Sequence, residues 1–282
     1  MSVLATAGPM DITEQLGTPA HSTRAIQMDL TACLRLIPPE RTRQVSSFRQ
    51  EGGVQYALYS AEGLPSGLLA RLVLLTLCDM ARQQQVVEFA QLPLEFAESA
   101  GLTKAVDATA VLDQLKRLAS ARWCASNVSK NGFSLENLAM RWLSRQDGGQ
   151  FVMDFGVEFC EWSQRCPRPA ASAIRKLNTS MAVDIYIWLL ERVMPQPSVE
   201  FTVKELQGTF GERGKEPTMA WVAQLDSVIR VTGLPVSWDS TLRGLRLETA
   251  AEAHANPAEA NRKASPLALM DESESPVKTS AP

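Results

Sequence analysis

Gln224, Ser227 and Arg230 recur at spacings of three along Thr218–Val231, while Trp221, Leu225, Val228 and Ile229 share the opposite, apolar face. The pattern predicts an amphipathic helix whose polar face can read base edges, since Gln pairs bidentately with adenine and Arg with guanine. Arg213 and Lys215 stand just ahead of it, where cations neutralise phosphates. Arg243 and Arg246 follow on a turn and a strand-like run. An ordinary solvated helix face carries the same residue types. An architecture that presents the helix is needed before the pattern points to DNA.

Other chemistries find little support. The chain has two histidines, His21 and His254, and both fall outside the stretches with a core-forming pattern. The commonest general base and metal ligand are therefore missing from the expected folded part. Cys33, Cys78, Cys124, Cys160 and Cys166 have no zinc-ligand spacing, and reduced thiols are expected. There is no phosphate-binding glycine loop. The expectation is a protein without catalytic residues, metal or cofactor. No apolar run is long enough to span a bilayer and no signal peptide is visible, so a cytoplasmic location is expected.

Charge gives only limited help. The chain holds 28 Lys and Arg against 31 Asp and Glu, a net charge of −3. Residues 41–250 are nearly balanced, with 23 basic and 22 acidic side chains. A DNA-binding face must come from uneven distribution of charge, not from overall basicity.

The elements that would position these residues occur twice. Val87-Glu88-Phe89 recurs as Val199-Glu200-Phe201, and Gly132-Phe133-Ser134-Leu135 as Gly244-Leu245-Arg246-Leu247, both at an offset of 112 residues. A long apolar helix precedes each Val-Glu-Phe (Ser66–Arg82, then Ser180–Val193). A short helix follows, then a longer one (Asp107–Arg122, then Thr218–Val231), then two strand-like runs. Four elements in one order at nearly constant offset predict duplication of a winged helix-turn-helix. The fold class expected is α+β, mainly α, with two tandem winged helix-turn-helix domains and disordered termini. Residues 1–40 read as a flexible segment, 41–150 as the first domain, 151–250 as the second and 251–282 as a disordered acidic tail. Cys166-Pro167-Arg168-Pro169 reads as a rigid joint that lets the halves fold separately.

From about Gln50 to Glu248 the chain resembles the plasmid-encoded RepA-type replication initiators. The resemblance rests on Gly63-Leu64-Pro65-Ser66-Gly67-Leu68 with Arg71-Leu72-Val73-Leu74-Leu75, and on Leu112-Asp113-Gln114-Leu115-Lys116-Arg117-Leu118. It continues in Val183-Asp184-Ile185-Tyr186-Ile187-Trp188-Leu189 with Arg192, in Thr209-Phe210-Gly211 and in Gly244-Leu245-Arg246-Leu247. It implies binding to repeated double-stranded DNA sites at an origin and opening of a nearby A·T-rich segment. It also implies recruitment of a host replication initiator and the replicative helicase, and a homodimer formed through the first domain.

In the first half, Lys104, Lys116 and Arg117 surround the helix equivalent to Thr218–Val231, with Ser120 and Arg122 nearby. Asp107 and Asp113 among them would repel phosphate, so backbone contacts or a protein interface are expected there. Arg168, Arg175 and Lys176, with Arg165, cluster at the joint and are placed to span a minor groove between the two helices. Arg41, Arg43 and Arg49 read as a basic arm. Two rival functions share the fold: a transcriptional repressor, and a protein–protein adaptor that no longer touches DNA.

Overall fold

The computed structural model describes residues 28–249 except 41, 52, 100–106, 130–131, 140–144, 148–149, 211–218 and 242–243. The expectations for residues 1–27 and 251–282 lie outside the described residues. The described chain mixes helices with three small antiparallel sheets. The elements run α1 (Leu30–Leu36), β1 (Ser46–Glu51), β2 (Val54–Ser60), α2 (Gly67–Gln83), β3 (Val86–Phe89), α3 (Leu92–Ser99) and α4 (Ala108–Ala119). Next come β4 (Ala121–Ser129), β5 (Gly132–Ala139), β6 (Arg145–Asp147), β7 (Gln150–Asp154), α5 (Val157–Arg165) and α6 (Ala171–Ile174). Then α7 (Ser180–Trp188) passes into a π turn (Leu189–Val193), and β8 (Ser198–Thr202), α8 (Val203–Phe210), α9 (Met219–Thr232), β9 (Val236–Thr241) and β10 (Gly244–Thr249) follow.

In the second half the sequence order helix, strand, helix, helix, hairpin closes as expected. β10 lies between β8 and β9, with Leu245 opposite Phe201 and Leu247 opposite Val199. Gly244 is required at the start of β10. A Cβ there would lie 1.9 Å from the Phe201 carbonyl oxygen.

The first half is arranged differently. The 112-residue offset predicts pairing between Val87–Phe89 and the hairpin that follows α4. Instead β3 pairs with β7, Val87 facing Met153 and Phe89 facing Phe151. The reason is the N-terminal hairpin, which has no counterpart in the second half. β2 lies along β4 from Val54–Asn127 to Ser60–Ala121 and builds the four-stranded sheet β1-β2-β4-β5. Residues 151–154, read as the start of the second domain, are thus hydrogen-bonded to a strand of the first. The buried stripe of α4 is also turned from the expected one: Val111, Gln114, Leu115 and Leu118 are buried, while Ala108 is exposed and Leu112 half-buried.

Residues 28–40 are not the flexible segment expected, although the pattern also predicts a short helix over Ile26–Leu36, stopped by Pro38-Pro39, and α1 falls within it. Every residue of α1 is buried, together with Met28 and Ile37. Trp123 Nε1 donates to the Cys33 carbonyl at 3.3 Å, and Trp162 Nε1 donates to that of Met28 at 2.9 Å. Glu191, on the π turn, caps α1 from the second half: its carboxylate accepts from the Leu30 and Thr31 N–H groups at 2.8 and 2.9 Å, and from the Thr31 hydroxyl. α1 therefore wedges between the halves, and the buried residues of both form one continuous cluster.

Burial, and then the neighbouring Asp29, push the Glu191 carboxyl up to about 7 against the opposing pull of its hydrogen bonds. A carboxyl raised in the folded state binds its proton more tightly there than in the unfolded chain. Its stabilising contribution is full below the ordinary carboxyl range and is lost as pH rises through about 7. The melting temperature is expected to fall between about pH 5 and pH 8, and Glu191→Gln is expected to flatten that slope. An unchanged slope in the variant would assign the dependence to another group.

Candidate nucleic-acid interface

α9 is held by its apolar face. Leu225 and Val228 are fully buried, and Trp221 joins an aromatic cluster with Trp188, Phe201 and Phe210. Ring centroids in that cluster lie 4.8–6.3 Å apart. Such spacing adds pairing energy to area burial and fixes the angle at which the helix is presented.

The opposite face carries Gln224, Ser227 and Arg230, but not as one open stripe. Ala223, Asp226 and Arg230 form the most exposed line. Gln224 and Ser227 flank it, half-buried, on the side of the turn before α7. Gln224 Nε2 stands 3.5 Å from the Thr179 hydroxyl, and that hydroxyl in turn accepts from the Ala182 N–H. Lys176, just after α6, donates to the Val231 carbonyl at 3.4 Å. Arg230, Lys176 and its exposed neighbour Arg175 thus gather at the C-terminal half of α9. Asp226 places a carboxylate in the middle of the exposed line, where it opposes phosphate.

Arg246 is exposed on β10 and faces Glu200 across the strands, 3.7 Å away. A phosphate there has to compete with that carboxylate. Arg168 and Arg165 are exposed at the joint. The joint itself is pinned: Arg82 on α2 donates to the carbonyls of Ser163, Cys166 and Pro167 at 2.7–3.1 Å. Arg213, Lys215, Arg243, Lys104 and Arg41 lie outside the described residues.

In the first half Lys116 is exposed, but Arg117 is engaged. It pairs with Asp113 at 2.9 Å and donates to the Leu64 carbonyl at 3.2 Å. Arg122 lies in β4, not beside α4. Arg49 is no free arm: it sits in β1 and donates to the Thr209 carbonyl at 2.9 Å, across the halves.

Several arginines that could have faced phosphate are spent on the interior. Arg71 and Asp184 form a buried bidentate pair, Nε to Oδ1 at 2.7 Å and Nη2 to Oδ2 at 2.9 Å. Arg71 also donates to the Ile37 and Gly67 carbonyls. Arg35 is buried with its guanidinium 4.9 Å from the centre of the Phe210 ring. Only Arg71 could have been flagged in the sequence, as the one charge inside the apolar run Leu68–Cys78.

Among the described residues no group of acidic, His and Cys side chains could hold a metal, and no helix is long and apolar enough to cross a membrane. Comparison with protein-family models and with curated proteins finds no match. Among solved structures the chain is similar to domains 2 and 3 of RctB. One crystal structure, of a selenomethionine derivative, superposes with a TM-score of 0.55 at 12% identity, over 77% of this chain and 95% of the other. A second, of RctB residues 155–483, gives 0.50 at 11% identity, over 78% and 96%. Identity this low speaks to the fold alone.

Proposed function

We propose that the chain is a non-enzymatic DNA-binding protein of the replication-initiator kind, built from two winged-helix units. The observation that carries the proposal is the second half: α7, β8, α8, α9 and the β9–β10 hairpin, with strand order β8-β10-β9 and α9 turning Arg230 to solvent. That is the arrangement in which a third helix enters a major groove and the hairpin lies along the backbone. The likeness to domains 2 and 3 of RctB supports a replication-initiator-like fold, and the resemblance to RepA-type initiators points the same way. In this account α9 reads bases, while Lys176, Arg175, Arg246 and Lys215 neutralise phosphates. The protein recognises origin repeats of a plasmid and recruits a host initiator and the replicative helicase. The adaptor reading is favoured by one feature, the carboxylates Asp226 and Glu200 beside Arg230 and Arg246.

Fluorescence anisotropy with DNA flanking the coding sequence separates the two. Contacts to about five phosphates give a log–log salt slope near −4.5. Arg230→Ala is expected to cost about 1–3 kcal/mol on that DNA and much less on random DNA. Equal losses on both would mean that α9 does not read bases. Equal affinity of the wild type for both would favour the adaptor.

A further inference from the structure

In the sheet β1-β2-β4-β5, the described side chains of β1, β2 and the start of β4 pack one face against the core and leave the other largely open, with only the small Ala57 buried on it. Ser47, Arg49 and Glu51 of β1, Val54, Tyr56 and Leu58 of β2, and Trp123 and Ala125 of β4 share the face toward α1 and the core. The other face carries Ser46, Phe48 and Gln50, then Gln55, Ala57 and Tyr59, then Arg122, Cys124 and Ser126. Two aromatic side chains stand open on it: Phe48 is 41% and Tyr59 43% exposed. Their ring centroids are 5.4 Å apart and the planes nearly perpendicular, 82°. Arg122 is exposed directly across from Tyr59 in the strand register. Among the described positions of this face there is one cation and no carboxylate.

A single exposed ring needs no explanation, but two rings in contact on an open sheet face form a contiguous aromatic patch. Here they sit among uncharged hydrogen-bonding side chains with an arginine beside them. A basic partner would call for carboxylates, which β1, β2 and β4 do not place on this face. Rings for stacking, a cation for phosphate and no opposing charge fit unstacked bases on a sugar-phosphate chain. A duplex hides its base faces, so it is not the ligand this face fits. We propose that the open face of this sheet binds single-stranded nucleic acid, with Phe48 and Tyr59 as stacking platforms and Arg122 as the phosphate contact. The site is separate from α9 and does not depend on the duplex-binding proposal.

The test titrates the full-length protein into fluorescein-labelled oligo(dT) of about 20 nucleotides, long enough for one sheet-type site. A duplex of the flanking DNA serves as the second probe. Phe48→Ala and Tyr59→Ala are each expected to weaken oligo(dT) binding by roughly 5- to 100-fold. Tyr59→Phe, which keeps the ring, is expected to retain it. All three should bind the duplex as the wild type does. If an alanine variant loses its melting transition, Phe48→Leu takes its place, keeping apolar bulk without a ring. Failure of the wild type to bind oligo(dT), or alanine variants that bind as tightly as the wild type, would overturn the proposal. So would a wild-type dimer in sedimentation that Phe48→Ala converts to monomers, since the face would then be a self-interface. Loss of duplex binding alone would strike at α9 and leave the sheet face standing.

Discussion

Asp184→Ala is expected to lower global stability by about 3–5 kcal/mol, because it strands a buried guanidinium. Arg71 lies on α2 and Asp184 on α7, the leading helices of the two halves, and both side chains are almost wholly enclosed. Burial holds the Asp184 carboxyl above its ordinary range, and Arg71, through charge and hydrogen bonds, limits the rise. The pair therefore holds its charge only while both members are present. Removing one leaves the other without water and without a counter-ion. Replacing both by apolar residues of similar volume, as in Arg71→Met with Asp184→Leu, is expected to recover most of the loss. Urea unfolding followed by circular dichroism measures both effects. A single variant as stable as the wild type would mean that water reaches the pair.

Trp188→Ala is the second large effect, also about 3–5 kcal/mol, from the lost indole and the cavity left behind. Trp188 is the hub of its cluster, with Phe201 at 4.8 Å, Phe210 at 5.2 Å and Trp221 at 6.3 Å. Those contacts tie α7 to β8, α8 and α9, so the variant is expected to lose sequence-specific DNA binding as α9 loses its support. The proline-bounded joint predicts that the first half survives. The structure argues otherwise. α1 packs against both halves, Glu191 caps it, and Arg49 and Glu51 hold Thr209. Limited proteolysis of the variant is therefore expected to degrade both halves together. A stable fragment spanning about residues 41–165 would show that the halves are independent after all.

Long elements with one apolar face were legible. α2, α4 and α9 announce themselves by spacings of three and four, and β2 and the β9–β10 hairpin by alternation and turn residues. The sequence places a helix over Ile26–Leu36, which holds α1, but not its burial, because a helix buried all round has no polar face to set its phase. β1, Ser-Ser-Phe-Arg-Gln-Glu, has no apolar alternation, and its strand is fixed by its pairing with β2. The β3–β7 pairing joins residues more than sixty apart, which local pattern does not encode. At α9, periodicity located the helix and its polar residues. It could not tell that Thr179 would meet Gln224, that Gln224 and Ser227 would be half-buried and that Asp226 would stand on the exposed line. The internal uses of Arg35, Arg49 and Arg82 leave no mark in the sequence for the same reason, whereas Arg71 stands out as the one charge in the apolar run Leu68–Cys78. Composition counts cations but does not say which ones point inward.

The central claim is that this protein recognises repeated sites in duplex DNA. Footprinting of the purified full-length chain on the DNA flanking its coding sequence tests that most directly. Several protected segments of one shared sequence are expected, in direct repeat, spaced by whole helical turns and lost as salt is raised. A single inverted repeat would point to a repressor. No protection beyond that seen on random DNA would contradict the account.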